Sequence, residues 1–204
     1  MCYVALIKMK INIDYNRVAK FYDGMLFFVE WFVSKKRKEL LQQAEGVILE
    51  VGVGTGSSFK DYPQGKLIIA MDASKEMLRL AEKKIRAYSG HIELQIEDAQ
   101  NLPFKDETFD TIFTSLVFCS VHNPFRGLRE MHRVLKKDGR LLMIEHVKSE
   151  NRLVGYMMDK FNPVVAKFDN INRETVHYLP LAGFKVKQQE NLAFDIVKSI
   201  VASK

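Results

Sequence analysis

Three glycines at alternate positions, Gly52, Gly54 and Gly56, constrain this chain more than any other feature. They sit in Glu50-Val-Gly-Val-Gly-Thr-Gly56, where the apolar run Val47–Val51 gives way to a polar stretch. Glycine there lets the backbone turn tightly and come close to a ligand with no Cβ in the way. The run before it reads as a strand buried on both faces, as in the middle of a parallel sheet. Leu67–Met71, ending in Asp72, reads the same way. Ile92, Leu94 and Ile96 alternate with Glu93, Gln95 and Glu97, so this third strand shows one face to water and lies near an edge. Thr111–Ser115 and Leu141–Ile144 complete five strands. Met77, Leu78, Leu80, Ala81 and Ile85 have helical spacing, as do Leu128, Met131, Val134 and Leu135, the latter helix stopping at Asp138-Gly139. Such alternation predicts a doubly wound α/β sheet with right-handed crossovers.

At 204 residues the chain has room for one domain. Residues 12–46 read as a helical lid with a dense aromatic patch, and 47–147 as the core. Residues 148–180 read as an insertion on the substrate side and 181–204 as a strand hairpin. In that hairpin Phe184–Gln189 and Phe194–Val201 are joined at Asn191.

The glycine spacing departs from the G-x-G-x-x-G of dinucleotide sites, and an acid, Glu50, ends the strand. That carboxylate would repel a pyrophosphate and attract a cationic amino group. Asp72, twenty residues beyond Gly52, can accept both hydroxyls of a ribose. Asp98, at the end of the third strand, can accept from an adenine amino group. Three acids at the carboxyl ends of successive strands border the crevice where such sheets bind ligands. The set suits a zwitterionic nucleoside cofactor better than NAD.

These segments resemble the class I S-adenosylmethionine-dependent methyltransferases of type 11, from about Tyr15 to Phe184. Glu50–Gly56 is similar to the family's first motif, Asp72 to its ribose acid and Asp98-Ala99 to its adenine-edge motif. Phe109-Asp110 and Leu135–Leu142 are similar to its later ones. The resemblance implies a Rossmann-like sheet of seven strands with the last antiparallel, and S-adenosyl-L-methionine as cofactor. It also places Ala73 and Ser115 with the cofactor-binding residues. Lys137-Asp138 stands where Pro-Gly is common before the glycine. Ser115–Asn123, Glu145–Val147 and Asn172–Thr175 resemble segments of membrane-associated thiol S-methyltransferases. Tyr15–Asp23 is similar to the opening of quinone-biosynthesis C-methyltransferases and small phospholipid N-methyltransferases. In those families an N-terminal aromatic helix closes over the cofactor. This implies a cofactor contact for Tyr15 and Tyr22, which share one helical face, and a place near the chemistry for Tyr22.

The resemblance implies in-line displacement at an electrophilic methyl, which needs alignment, dryness and a deprotonated acceptor. A thiol or phenol acceptor would profit from a histidine base. His122, past the fourth strand, and His146, ending the fifth, are the candidates; taken singly, each reads more readily as a hydrogen-bonded structural histidine. Cys119 reads as core, and no histidine or cysteine spacing suits a metal.

Lys and Arg number 31 against 25 for Asp and Glu, a formal charge of +6, which suits nucleic acid, an anionic membrane or an acidic substrate alike. The motifs of nucleic-acid methyltransferases after the fourth strand are absent, since Ser115-Leu-Val-Phe118 stands there, and no nucleic-acid partner is expected. The basic run Lys35–Lys38 follows the aromatic stretch Met25–Val33, which points to a lid or to an anionic membrane surface. Tyr156, Met157, Met158, Phe161 and Phe168 are candidates for the wall of an apolar acceptor pocket. With two cysteines and no signal or spanning segment, the expected setting is cytoplasmic, at most peripheral to a membrane. The expected acceptor is small and lipophilic, a thiol first, with a phospholipid amine or quinone precursor as alternatives. A catalytically silent cofactor-binding subunit is the rival of another class. Oligomeric state is not readable from these residues.

Overall fold

The computed structural model describes residues 27–165, 170–193 and 195–204. Tyr15, Tyr22, Phe168 and Phe194 lie outside them. The elements in order are α1 (Phe27–Leu41), β1 (Val47–Val51), β2 (Leu67–Asp72), α2 (Lys75–Glu82), β3 (His91–Ile96), β4 (Phe109–Ser115), α3 (Pro124–Val134), β5 (Leu135–His146), α4 (Arg152–Val165), α5 (Thr175–Ala182), β6 (Lys185–Ala193) and β7 (Val197–Ser203). Short 3-10 turns at Phe59–Asp61 and Ile85–Ala87 follow the glycine loop and α2.

All seven strands form one sheet in the order β3-β2-β1-β4-β5-β7-β6. Pairings β1–β2, β1–β4, β2–β3 and β4–β5 are parallel; β7 runs antiparallel to both β5 and β6. The chain reverses direction of winding between β3 and β4, so the carboxyl ends of β1 and β4 lie side by side. In open α/β sheets ligands bind outside the strand ends at that switch.

Alternation of side chains explains both core layers. Leu49, Val51, Ile112, Leu141 and Met143 face one side and pack with Leu128, Met131 and Val134 of α3. Ile48, Ile68, Phe113, Leu142 and Ile144 face the other, with Leu40 and Leu41 of α1 and Leu78 and Ala81 of α2. β3 lies at the sheet edge, as its alternating pattern predicts. Ser74 and Asn123 start α2 and α3 by accepting from Met77 N and Arg126 N.

The structure corrects four expectations. α3 ends at Val134 rather than at Asp138-Gly139, because Leu135 is already extended and pairs with Phe109. Arg140 then pairs with Thr111, which leaves residues 136–139 as a local irregularity inside β5. The segment 148–180 is not all insertion: α5 is the crossover to β6, with Leu179 and Ala182 buried in the α3 core layer. The hairpin does not turn at Asn191, which pairs with Lys198 inside the ladder; Asp195, at positive φ, lies in the turn. The run Lys35–Lys38 is not a solvated basic cluster. Arg37 is buried and paired with Asp61 at 2.7 Å, and Lys36 is paired with Glu190, which leaves Lys35 and Lys38 exposed.

Candidate active site

The glycine loop closes over the end of β1 by borrowing the next strand. Gly52 N and Val53 N both donate to Met71 O, and Gly54 N donates to the Asp72 carboxylate at 2.9 Å. Gly52 and Gly54 have φ of +71° and +55°, which a side chain adopts only under strain. They differ in their surroundings. A Cβ on Gly52 would lie 2.4 Å from a methyl of Val117, whereas a Cβ on Gly54 would meet nothing within 4 Å. Gly54 therefore borders an open cradle, lined by backbone and by Asp72.

Asp72 is held for that cradle: one oxygen accepts from Gly54 N, the other from Ser74 N at 2.8 Å. Burial raises its pKa, and the backbone N–H groups of Ser74 and Gly54 oppose the rise. Its remaining lone pairs suit vicinal hydroxyls, with Ala73 exposed beside it. Asp98 is exposed and fixed by the backbone N–H and side-chain amide of Gln100. Gln100 also accepts from Asn123 N, which ties the acid to the start of α3; Ala99 is buried below.

Glu50 is placed differently from a solvent-facing cofactor ligand. It is 3% exposed, and its two oxygens accept from Ser58 Oγ (2.5 Å) and Tyr62 OH (3.2 Å). Burial pushes its pKa up to about 7, against the pull of those two donors and of Arg37. Glu50 thus braces the loop from beneath.

Glu145, to which the sequence alone assigns no role of its own, organises the other wall. It is fully buried at the end of β5 and accepts from Thr114 Oγ1 (2.7 Å), Val117 N (3.1 Å) and Phe118 N (3.0 Å). These bonds hold the loop after Ser115, where Leu116 takes φ +57° and Val117 stands against Gly52. An acid ending an apolar strand was the available signal, the same one that marks Glu50 and Asp72.

The two histidines lie on the same rim with different surroundings. His122 is exposed on the loop before α3. His146 is half-buried; its Nδ1 is buried without a hydrogen-bond partner, and a bond to the Ile171 backbone engages the ring. Burial lowers the pKa of His146, so the ring is neutral at pH 7. Cys119 is buried in the same loop and donates to Leu116 O. Among the described residues no group of three or more His, Cys, Asp or Glu could hold a metal ion.

Fold and site together define a class. Residues 49–143 match the family model described as "Methyltransferase domain". A solved S-adenosylmethionine-dependent methyltransferase from Thermotoga maritima superposes with a TM-score of 0.70 over 95% of this chain and 99% of that one, at 24% identity, a likeness of fold. The chain is an S-adenosylmethionine-dependent methyltransferase, and S-adenosyl-L-methionine is its cofactor. Among relatives it is similar to a demethylmenaquinone methyltransferase from Porphyromonas gingivalis, 27% identical over 94% of this chain and 84% of the relative. It is also similar to a phosphatidylethanolamine N-methyltransferase from Cereibacter sphaeroides, 39% identical over 50% of this chain and 51% of that protein.

Proposed function

We propose that the chain methylates a small lipophilic acceptor of the quinone-precursor class. One observation carries the reading: the similarity to the demethylmenaquinone methyltransferase extends over 94% of the chain, past the cofactor half and through α4 and α5. A phospholipid headgroup amine is the second reading, favoured by the 39% identity to the phosphatidylethanolamine enzyme over half the chain. A thiol is the third arm of the test.

The cradle at Gly54 and the held carboxylates fit the cofactor: Gly52–Gly56 would carry its methionine end, Asp72 the ribose and Asp98 the adenine edge. Bound there, S-adenosylmethionine supplies a methyl group activated on a sulfonium. The chain's own part is to hold, to dry and to deprotonate. Glu145 fixes residues 116–118 as the wall facing the glycine loop. A ring hydroxyl must lose its proton before the adjacent carbon is nucleophilic enough to attack. We assign that proton to His146, whose ring is neutral at pH 7 and whose orientation the Ile171 bond sets. Tyr15 and Tyr22, expected from the resemblance to contact the cofactor, lie outside the described residues.

Labelled methyl transfer onto a naphthoquinol, phosphatidylethanolamine and an alkyl thiol tests the reading. The naphthoquinol should be the best acceptor. His146→Gln should lower its turnover by roughly tenfold or more with cofactor affinity unchanged, and transfer confined to the thiol or the phospholipid would overturn the proposal.

A further inference from the structure

Helix α4 turns an apolar face to solvent. Leu153 is 70% exposed, Tyr156 59%, Met157 49% and Phe161 56%, while Gly155 and Met158 are buried on the opposite side, where Ser149 N donates to Met158 Sδ. Residues three and four apart share a helical face, so Leu153, Met157 and Phe161 form one stripe with Tyr156 and Lys160 along its flank.

Two exposed cations border the stripe, while Glu150, just before the helix, is paired with Lys198. Lys160 Nζ lies 5.4 Å from the centre of the Tyr156 ring. Arg152 opens the helix, and both cations are exposed. The helix's acid, Asp159, is turned away and neutralised by Lys148 at 2.8 Å, with Asn172 as a second partner at 3.0 Å. An apolar stripe edged by long cations suits the boundary between acyl chains and anionic headgroups, where the stems bury and the charges reach water. Fourteen residues with Pro163 inside them lie along such a boundary rather than across it, and no helix among the described residues is long and apolar enough to cross.

Position gives the face a use. Asn162 of α4 accepts from Ile171 N, and the segment after it reaches the rim of the crevice: Asn170 donates to Cys119 O and Arg173 to Val121 O. α4 is thus coupled through residues 170–173 to the loop that Glu145 anchors. The expected basic end of α1 is a weaker candidate, since Arg37 and Lys36 are committed to Asp61 and Glu190.

We propose that the exposed face of α4 docks the protein on an anionic lipid surface, beside the crevice that takes the acceptor. The clause on the acceptor rests on the function proposed above; the docking does not.

The test is flotation with vesicles of phosphatidylcholine alone and of phosphatidylcholine with phosphatidylglycerol, at low and high salt. The full chain should bind the anionic vesicles, less so at high salt. Leu153→Ser/Met157→Ser/Phe161→Ser should lose binding by roughly tenfold or more, with cofactor affinity and thermal melting unchanged. Arg152→Glu/Lys160→Glu keeps the apolar stripe and should abolish the preference for anionic vesicles, which keeps the test decisive if the triple variant does not fold. Absent vesicle binding, equal binding by both variants, or a dimer that the triple variant splits would overturn docking. Vesicle binding without transfer to any lipophilic acceptor would overturn the functional reading alone, and transfer in detergent without vesicle binding would overturn docking alone.

Discussion

Gly52 and Gly54 allow the glycine loop to be dissected with two single methyl groups. Both residues have positive φ, so each change to alanine carries left-handed strain of about 1–2 kcal/mol. Reduced freedom of the unfolded chain offsets about 0.4–1 kcal/mol of that in either case. Gly52→Ala adds a clash, because its Cβ would lie 2.4 and 2.8 Å from the two methyls of Val117. Val117 cannot simply withdraw, since its N–H and that of Phe118 are held by the buried Glu145 carboxylate. Overpacking of this kind costs about 1–3 kcal/mol. Gly54→Ala meets nothing within 4 Å and adds no clash. Urea unfolding without cofactor should therefore show Gly52→Ala less stable than Gly54→Ala by about 1–3 kcal/mol. Calorimetric titration with S-adenosylmethionine should separate them in another way, since the Gly54 methyl fills the cradle. Gly54→Ala should bind the cofactor tenfold or more weakly, on the order of 1.4 kcal/mol, despite its smaller effect on stability. Equal stabilities would refute the anchoring of Val117 by Glu145, and unchanged binding by Gly54→Ala would refute the cradle.

Removing the anchor itself makes a related prediction. Glu145→Ala leaves the buried Thr114 hydroxyl and two backbone N–H groups unpaired. A loss on the order of 3 kcal/mol should follow, with Glu145→Gln intermediate because one acceptor oxygen remains; equal melting temperatures for the two variants would count against this role. Breaking the buried Arg37–Asp61 pair should also lower stability, by about 1.5–3 kcal/mol for Asp61→Ala in urea unfolding, because a hydrogen bond between charged groups is lost. Glu50 should make stability fall as pH rises from about 4.5 to about 7 and then level off. Its folded pKa of about 7 lies above the ordinary 4.5, so between those values the folded state binds the extra proton. Glu50→Gln should flatten that slope, and an unchanged slope would show that Glu50 ionises normally.

The legible parts of this protein are those in which local pattern and tertiary role coincide. The ends of β1 and β2 could be read because a strand buried on both faces stands out by its first polar residue, so Glu50 and Asp72 announce themselves by position, and the alternation of β3 leads on to Asp98. The α3–β5 boundary could not. Leu135 fits the helical spacing of Leu128, Met131 and Val134, yet pairing with Phe109 pulls it into the sheet, a long-range bond that no local window contains. Helix α5 was obscured for a similar reason, since only its packing on α3 distinguishes a crossover from an insertion. The site shows the same division. The type of each acid is visible in the sequence, but its direction is not: Asp72 lines the cradle, whereas Glu50 turns under the loop to Ser58 and Tyr62. Glu145 completes the case, because its work consists of bonds to residues 27 to 31 positions away. The alternation that marks β5 as a strand also assigns Glu145 to the face of Leu141 and Met143. On that face, a carboxylate at the strand end meets the loop leaving β4 and holds it against Gly52.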